Sequence, residues 1–511
     1  MMDAASSRAE ARNEDAPRIV FDFTTTALWS GPPAGIVRVE REFARWALDH
    51  VDGFVLGFFD PEIRAFRQLD RAVAHLLISQ NAVVDPFSFV SPARRGKRKT
   101  DRIPTMIQPA AIWFLQSRRM VLQVMERIRL RTGNARFAAL VDRLQRAIMS
   151  PKYRAIMVRP DGSRRDFLSV DRVVGQSLVL TAHDTLVCTG SGWTHNDIEA
   201  IAAGKRKIGF RFVLFCHDII PLMFPYYYKR HDVEAQRRYC DLAFPAADLV
   251  ISASQTVAAD VRRYCAEHGL QLGATAVCRL GADVSTSPPS GQSHVARAPF
   301  SPPCCEEGEE TTPGLMPGGL EAGRYALLVS TIEPRKGHRL IYDAWVKLVE
   351  AGIPQRSRFK LVFAGREGWM VGDLMRDLRR DPHITGTLEL FTDAEDATVA
   401  ALYRNAAFCL YPSRYEGYGL PVVEAFRHGK AVLASTGGAV PGVVGDLSPC
   451  LDPGDREAWQ HMLGTWIEDP AARAIYEERI HTSFRHPTWN EAAQTFFALV
   501  LGGHDQSVLR R

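Results

Sequence analysis

Long apolar runs are missing from this 511-residue sequence. No stretch approaches the ~20 apolar residues that a membrane-spanning helix needs, so no transmembrane segment is expected. The opening residues, MMDAASSRAEARNEDAPR, have no apolar centre and are not expected to act as a signal peptide. Cysteine is scarce and shows no pairing pattern: there are nine, mostly within apolar runs, as at Cys188, Cys216 and Cys409. That usage suits reduced, packed thiols in a cytoplasmic protein rather than a disulfide framework. Cys304 and Cys305 are adjacent and lack the C-x-x-C spacing of a zinc site, so no metal is expected. A dominant charge sign is lacking too, since 63 Lys and Arg stand against 58 Asp and Glu. No nucleic acid is expected among the partners. What the chain does have is length for two or more domains, each large enough for its own core, and the apolar and charged fractions of a globular protein.

The chain is organised around NAAFCLYPSRYEGYGLPVVEAFRHGKAVLASTGGAVPGVVGD, Asn405 to Asp446. Ala406 to Tyr411 is a short apolar run suited to a buried parallel strand. Ser413 to Gly419 breaks it with two glycines, and Leu420-Pro421 opens a helix with proline near its first turn. Gly429 closes that helix, and Ala431 to Ala434 begins the next strand. Glu416 in the loop and Glu424 on the helix lie eight positions apart. Glycines at a helix N-terminus let backbone N–H groups approach an anion, and neighbouring carboxylates accept hydrogen bonds from hydroxyls. A ligand with both a phosphate and sugar hydroxyls satisfies the pair. The competing reading is an ordinary βαβ unit with solvent-facing glutamates.

The run Glu416-Gly-Tyr-Gly-Leu-Pro-Val-Val-Glu424 resembles the E-x7-E signature of the retaining glycosyltransferases of family 4, the glycosyl transferases group 1. The longer run SRYEGYGLPVVEAFRHGKAVLAS makes the resemblance specific. It covers about residues 20–60 and 180–500, most specifically 325–450, and implies the α/β GT-B fold, two Rossmann-like domains facing a cleft. The form TIEPRKG, Thr331 to Gly337, also resembles a subgroup of bacterial mannosyl- and rhamnosyltransferases that build surface polysaccharides.

Taken in order, residues 1–17 read as a disordered tail. Residues 18–283 read as an N-terminal Rossmann-like acceptor domain. It opens with a strand at Ile19–Phe23, a Gly/Pro loop ending at Gly35, a helix from about Ile36 to Asp49 and a second strand at Phe54–Phe59. Family members place a glycine-bearing loop facing the cleft here, which implies a ligand contact at Gly35. Residues of about 70–175 fit the alternation poorly and read as a basic helical insertion. It holds the cluster Arg94-Arg95-Gly-Lys97-Arg98-Lys99, then Arg118, Arg119, Arg127, Arg129 and Arg131 among apolar residues. Such a surface suits peripheral contact with an anionic membrane; equally, it suits a solvated hairpin covering its own core. The rhythm resumes with strands at Asp184–Gly190, Phe212–His217 and Ala247–Ser252, a helix from about Thr256 to His268, and a strand ending at Gly281–Asp283. His217 stands at a carboxyl strand edge, where ligands bind in such sheets. The resemblance implies that it touches the transferred sugar.

Residues 284–323, rich in Pro, Gly, Ser and Glu, read as an interdomain linker. Residues 324–485 read as the C-terminal Rossmann-like nucleotide-sugar domain, and 486–511 as a helix crossing back and a tail. Its first strand, Tyr325–Ser330, leads into the loop bearing Arg335 and Lys336, where a diphosphate would meet cations and N–H groups together. A second glycine loop follows at Gly365. Two positions depart from the family pattern: Thr331 stands where relatives carry an arginine, and Gly442 where they carry a Pro-Glu.

The resemblance implies a retaining hexosyltransferase acting in polysaccharide or O-antigen synthesis, expected at the inner face of the membrane. Its donor is a nucleotide-diphosphate sugar, the subgroup resemblance pointing to GDP-mannose, and its acceptor a glycan or lipid-linked glycan. No cofactor is expected. Arg335, Lys336 and the backbone of Gly417, Tyr418, Gly419 and Leu420 would take the diphosphate. By resemblance, Glu416 would hold sugar hydroxyls and Glu424 the ribose hydroxyls. The rival readings are a sugar-nucleotide epimerase on the same scaffold and a non-catalytic carbohydrate-binding protein.

Overall fold

The computed structural model describes residues 17–29, 35–79, 82–84, 166–168, 173–282, 319–394 and 396–502. The N-terminal tail to residue 16, the basic cluster Arg94–Lys99, the arginine-rich run 113–133, Cys304, Cys305 and residues 284–318 of the linker lie outside the described residues. The chain divides into two compact units, Met1–Phe212 with Ser507–Arg511, and Val213–Gln506. Among the described residues no helix is long and apolar enough to cross a membrane.

The first unit contains strands β1 (Ile19–Asp22), β2 (Phe54–Asp60), β3 (Ala65–Leu69), β4 (Ala82–Val84), β5 (Asp166–Leu168), β6 (Val174–Ser177) and β7 (Thr185–Cys188). Five of them pair in the order β7-β1-β2-β3-β6. β1 runs parallel to β2 and β7, whereas β3 is antiparallel to both β2 and β6. The helix Ile36–His50 buries Val37, Val39, Phe43, Ala44, Ala47 and Leu48. Apolar residues at i, i+3 and i+4 form the stripe that an amphipathic helix turns inward.

In the second unit, β8 (Arg211–Cys216, whose first two residues belong to the first unit), β9 (Leu249–Ser252) and β10 (Ala274–Val277) are parallel. The strand expected to end at Gly281–Asp283 therefore lies several residues earlier. At Gly281 the backbone is pressed against another segment, where an added Cβ would stand 2.4 Å from the Trp489 nitrogen. A chain engaged that way does not extend a ladder.

The same unit holds a six-stranded sheet: β11 (Tyr325–Val329), β12 (Lys360–Ala364), β13 (Leu388–Phe391), β14 (Phe408–Tyr411), β15 (Val432–Ser435) and β16 (Cys450–Leu451). Every pair is parallel, in the order β13-β12-β11-β14-β15-β16. Counted within this sheet the order is the 3-2-1-4-5-6 of a doubly wound Rossmann domain. β14 and β15 are buried along their whole length, which is why they read as unbroken apolar runs rather than alternating ones. The helix His338–Glu350 follows β11 and buries Leu340, Ile341, Ala344, Trp345 and Leu348. Strand order reverses between β11 and β14. In open α/β sheets the crevice at that reversal, outside the carboxyl ends of the strands, is where ligands bind.

Candidate functional site

The loops leaving β11 and β14 flank this reversal, and their backbones are laced together: the Arg414 N–H donates to the Arg335 carbonyl at 2.8 Å. In the first loop Pro334 opens a single 3₁₀ turn, Pro334–Lys336, which presents Arg335 and Lys336 in succession. Arg335 is buried. Its Nη2 donates to Glu333 Oε1 at 2.7 Å, and its Nη1 donates to the Tyr415 carbonyl at 2.6 Å and lies 2.9 Å from Glu416 Oε1. Lys336 Nζ donates to that same Glu416 oxygen at 2.6 Å.

Two carboxylates and two cations therefore share one buried cluster, as buried charges must be paired to be tolerated. Burial pushes the Glu416 carboxyl upward, but Arg335 and Lys336 outweigh it and hold the group at about 2. Glu333 goes the other way: burial raises its carboxyl, and the nearby Glu416 charge adds to the rise while Arg335 and Lys336 only oppose it. Glu416 is thus a firmly ionised carboxylate locked to a lysine.

His217 follows β8, its ring 4.8 Å from that of Phe215. Its carbonyl approaches Gly417 so closely that a Cβ there would stand 2.5 Å away; only glycine fits. Ser254 Oγ donates to the Gly417 carbonyl at 2.8 Å, and the Tyr415 hydroxyl donates to Asp260 Oδ2 at 2.6 Å. The Tyr418 hydroxyl donates to the Leu280 carbonyl at 3.3 Å and lies 2.8 Å from His486 Nε2, so its side chain ties the loop in place. Gly419 caps the helix Leu420–Arg427, with Leu420 its first residue. Gly365 follows β12, and a side chain there would strike the Ser330 carbonyl at 1.9 Å, so the second glycine loop packs directly on the first.

The structure thus gathers His217, Arg335, Lys336, Glu416 and Gly417 through contacts that link one to the next, while Gly365 packs on Ser330 at the start of the loop that carries Arg335 and Lys336. Glu424 takes a different partner: its Oε2 accepts from the Tyr403 hydroxyl at 3.2 Å. Gly35 belongs to the first unit, where it caps the helix Ile36–His50. Thr331 supplies no cation, and Arg335, four residues on, is engaged by Glu333, Glu416 and the Tyr415 carbonyl. Sequence reasoning passed over Glu333, Asp260 and Tyr403. Glu333 stands inside TIEPRKG, and Asp260 interrupts the buried helical stripe Val257, Val261 and Tyr264, an acid where periodicity calls for an apolar residue.

The first unit buries a second acidic group. Asp22, ending β1, accepts from the Thr24 N–H at 3.1 Å, the Thr24 hydroxyl at 2.5 Å and Asn196 Nδ2 at 2.7 Å. Glu40 Oε2 accepts from the Thr26 N–H and hydroxyl, both at 2.8 Å. Burial, helped by the Asp22 charge, raises the Glu40 carboxyl well above its ordinary range.

A parallel 3-2-1-4-5-6 sheet in an α/β chain with a second sheet of its own, and paired glycine loops at the strand reversal, define a GT-B glycosyltransferase fold. More narrowly, residues 319–482 match the family Glycosyl transferases group 1, and this stretch is a domain of that enzyme family. The chain is 27% identical to the O-antigen chain mannosyltransferase B of Escherichia coli over 57% of its own length and 70% of the relative's. It is 26% identical to the serotype-specific mannosyltransferase WbdA of Escherichia coli over 57% of its length, but spans only 33% of that protein. Similarity reaches 38% identity with the MMP alpha-(1->4)-mannosyltransferase of Mycolicibacterium hassiacum, over 30% of this chain and 36% of the relative. Among solved structures, Anabaena HepE in complex with UDP aligns with 95% of this chain and 100% of its own, at 15% identity and a TM-score of 0.48.

Proposed function

We propose that the chain is a retaining hexosyltransferase that moves mannose from GDP-mannose to a glycan or lipid-linked glycan acceptor in surface polysaccharide synthesis. The observation that carries the proposal is the buried Lys336–Glu416–Arg335 cluster at the strand reversal of a glycosyl transferases group 1 domain. The mannosyltransferase relatives support the choice of sugar.

Transfer breaks the bond between the anomeric carbon and the diphosphate and forms one to an acceptor hydroxyl, whose proton passes to the departing phosphate. Negative charge grows on the diphosphate as the bond breaks, and preorganised donors lower the barrier by meeting it. Lys336 is assigned that task. An ammonium has three N–H donors, and Glu416 is the hydrogen-bond partner of Lys336 among the described residues. Arg335, enclosed by three acceptors, is assigned to positioning: it fixes Glu416 and the turn that presents Lys336. The N–H groups of Gly417 to Leu420, at a helix N-terminus, receive phosphate oxygens. Glu416 and His217 hold sugar hydroxyls, and Glu424 the ribose. Attachment to an anionic membrane at its inner face is assigned to the basic run between Arg94 and Arg131.

A panel of nucleotide sugars screened for saturable thermal stabilisation tests the donor assignment without knowledge of the acceptor. GDP-mannose is expected to stabilise the parent protein and not Lys336→Ala. Equal stabilisation of both, or of neither, contradicts it.

A further inference from the structure

Beyond the cation cluster, the segment after His217 carries four aromatic residues in five positions, Phe224, Tyr226, Tyr227 and Tyr228. A 3₁₀ turn, Pro225–Tyr227, runs through them. With three residues per turn, successive side chains point about 120° apart, so they cannot all enter one core. Tyr226 is left 63% exposed, and Met370, beside Trp369, 60% exposed. The rings nevertheless cohere. Tyr226 and Tyr227 have centroids 4.4 Å apart, and Phe224 meets Tyr226 nearly edge-on at 6.2 Å. Trp369 Nε1 donates to the Tyr227 carbonyl at 2.7 Å, and its ring lies 5.7 Å from that of Tyr228.

This aromatic group is continuous with the candidate site, because the Phe224 ring lies 5.0 Å from that of Tyr415, the residue before Glu416. A single exposed ring is unremarkable on a protein surface; here the exposed Tyr226 is the outer end of a connected row of half-buried rings beside the charged cluster, the kind of apolar surface that marks binding sites.

We infer that Phe224, Tyr226, Tyr227 and Trp369 form a shelf on which the saccharide of the acceptor stacks. A pyranose turns weakly positive C–H groups outward on one face and hydroxyls around its rim. Aromatic ring faces carry the negative lobe of a quadrupole, and tyrosine adds a hydroxyl at the edge. The shelf therefore matches both surfaces of a sugar ring, whereas a lipid chain would be better served by aliphatic side chains. The inference rests on the proposed transfer reaction, which needs an acceptor beside the donor, and it specifies a glycan as the part recognised.

The test uses the full chain, with α-linked mannotetraose and GDP as probes. Saturation-transfer NMR and calorimetric titration measure the tetrasaccharide, and thermal stabilisation measures GDP. Tyr226→Ala is expected to weaken mannotetraose binding about ten-fold or more, in the range of an aromatic contact residue. Tyr226→Phe, which keeps the ring, is expected to stay within about three-fold of the parent, and GDP stabilisation is expected to be the same in all three proteins. Mannotetraose binding that is absent from the parent, or equal in parent and Tyr226→Ala, overturns the shelf. So does a loss that falls on GDP instead, which would make Tyr226 a nucleotide contact. If no protein responds to GDP while mannotetraose follows the expected pattern, the shelf stands and the donor assignment falls.

Discussion

Glu40 in the first unit and Glu416 in the second are both carboxylic acids removed from water, yet their surroundings shift their carboxyls in opposite directions. Glu40 meets a peptide N–H and a threonine hydroxyl, with Asp22 as its charged neighbour; burial and that like charge raise it well above the ordinary range. Glu416 meets a guanidinium and an ammonium that outweigh an equally complete burial, and it is held at about 2. Depth alone does not decide charge. The cation decides it, and only the second cluster holds a lysine, the cation proposed to meet the diphosphate. Glu40 is then a fastening between the helix Ile36–His50 and the short helix Thr24–Ala27, its charged form disfavoured by burial, while Glu416 belongs to a charged site.

Replacing each glutamate by glutamine breaks the comparison most directly. At Glu416 the change removes the anion between two buried cations, and cutting one partner from a buried ion pair costs about 3–5 kcal/mol. At Glu40 the amide replaces an acid whose charged form burial disfavours, and the loss is expected to stay within about 1 kcal/mol, the scale of one hydrogen bond. Urea midpoints of the two variants against the parent decide it. Equal losses would mean that Glu40 is ionised after all.

Lys336→Ala sharpens the charged half. Arg335 still pairs with Glu416, so the fold survives, but the donor that the proposed reaction assigns to the leaving group is gone. Removing one such donor typically costs ~10²–10³ in rate, and kcat/KM for sugar transfer is expected to fall by that much. A loss confined to KM for the donor, with kcat unchanged, would place Lys336 in ground-state binding alone.

How far this contrast could be read from the sequence depends on what kept the residues apart. The six-stranded sheet was legible because parallel strands covered on both faces are unbroken apolar runs: YALLV, FCLY and VLAS announce themselves. β3 and β6, AFRQL and VGQS, are short and half exposed, and their antiparallel pairing left no periodic trace. Lys336 and Glu416 were each picked out from their loops. Their bond was not, because the residues lie 80 positions apart and meet only once β14 is laid beside β11. Arg335 was expected to face a phosphate; its guanidinium is instead enclosed by Glu333, Glu416 and a carbonyl, a fact of packing that no local pattern carries. Asp260 stayed hidden because its partner, the Tyr415 hydroxyl, is farther still, 155 positions along the chain.

The two glutamates should also bend the pH profile of stability in opposite directions. With the Glu416 carboxyl at about 2 against an ordinary 4.5, the unfolded chain binds a proton between those values that the folded chain does not. Its contribution, on the order of 3 kcal/mol, is present above about pH 5 and lost as pH falls toward 2. Glu40 is raised, so the folded chain keeps a proton that the unfolded chain has released. Its contribution is full below the unfolded value near 4.5 and declines as pH rises toward the folded one. Stability of the parent minus that of Glu416→Gln should therefore grow between about pH 3 and 5, while the same difference for Glu40→Gln should shrink above pH 5. Parallel curves would erase the distinction.

Tyr415→Phe probes the weakest link to the charged cluster. The hydroxyl donates to Asp260 Oδ2 at 2.6 Å, and Asp260 also receives Arg263 Nη2 at 2.8 Å, so its carboxylate keeps a partner when the hydroxyl goes. The phenyl ring keeps its place against Phe224, and the Tyr415 carbonyl still accepts from Arg335. What disappears is one hydrogen bond to a charged group, worth roughly 1.5–3 kcal/mol at most and less here because Arg263 remains. A stability loss of about 1 kcal/mol and a fall in kcat/KM of less than ten-fold are expected. Were the fall to rival that of Lys336→Ala, the Glu416 loop would owe its geometry to the tie with Asp260 rather than to its own cations, and charge pairing would cease to be what separates the two buried glutamates.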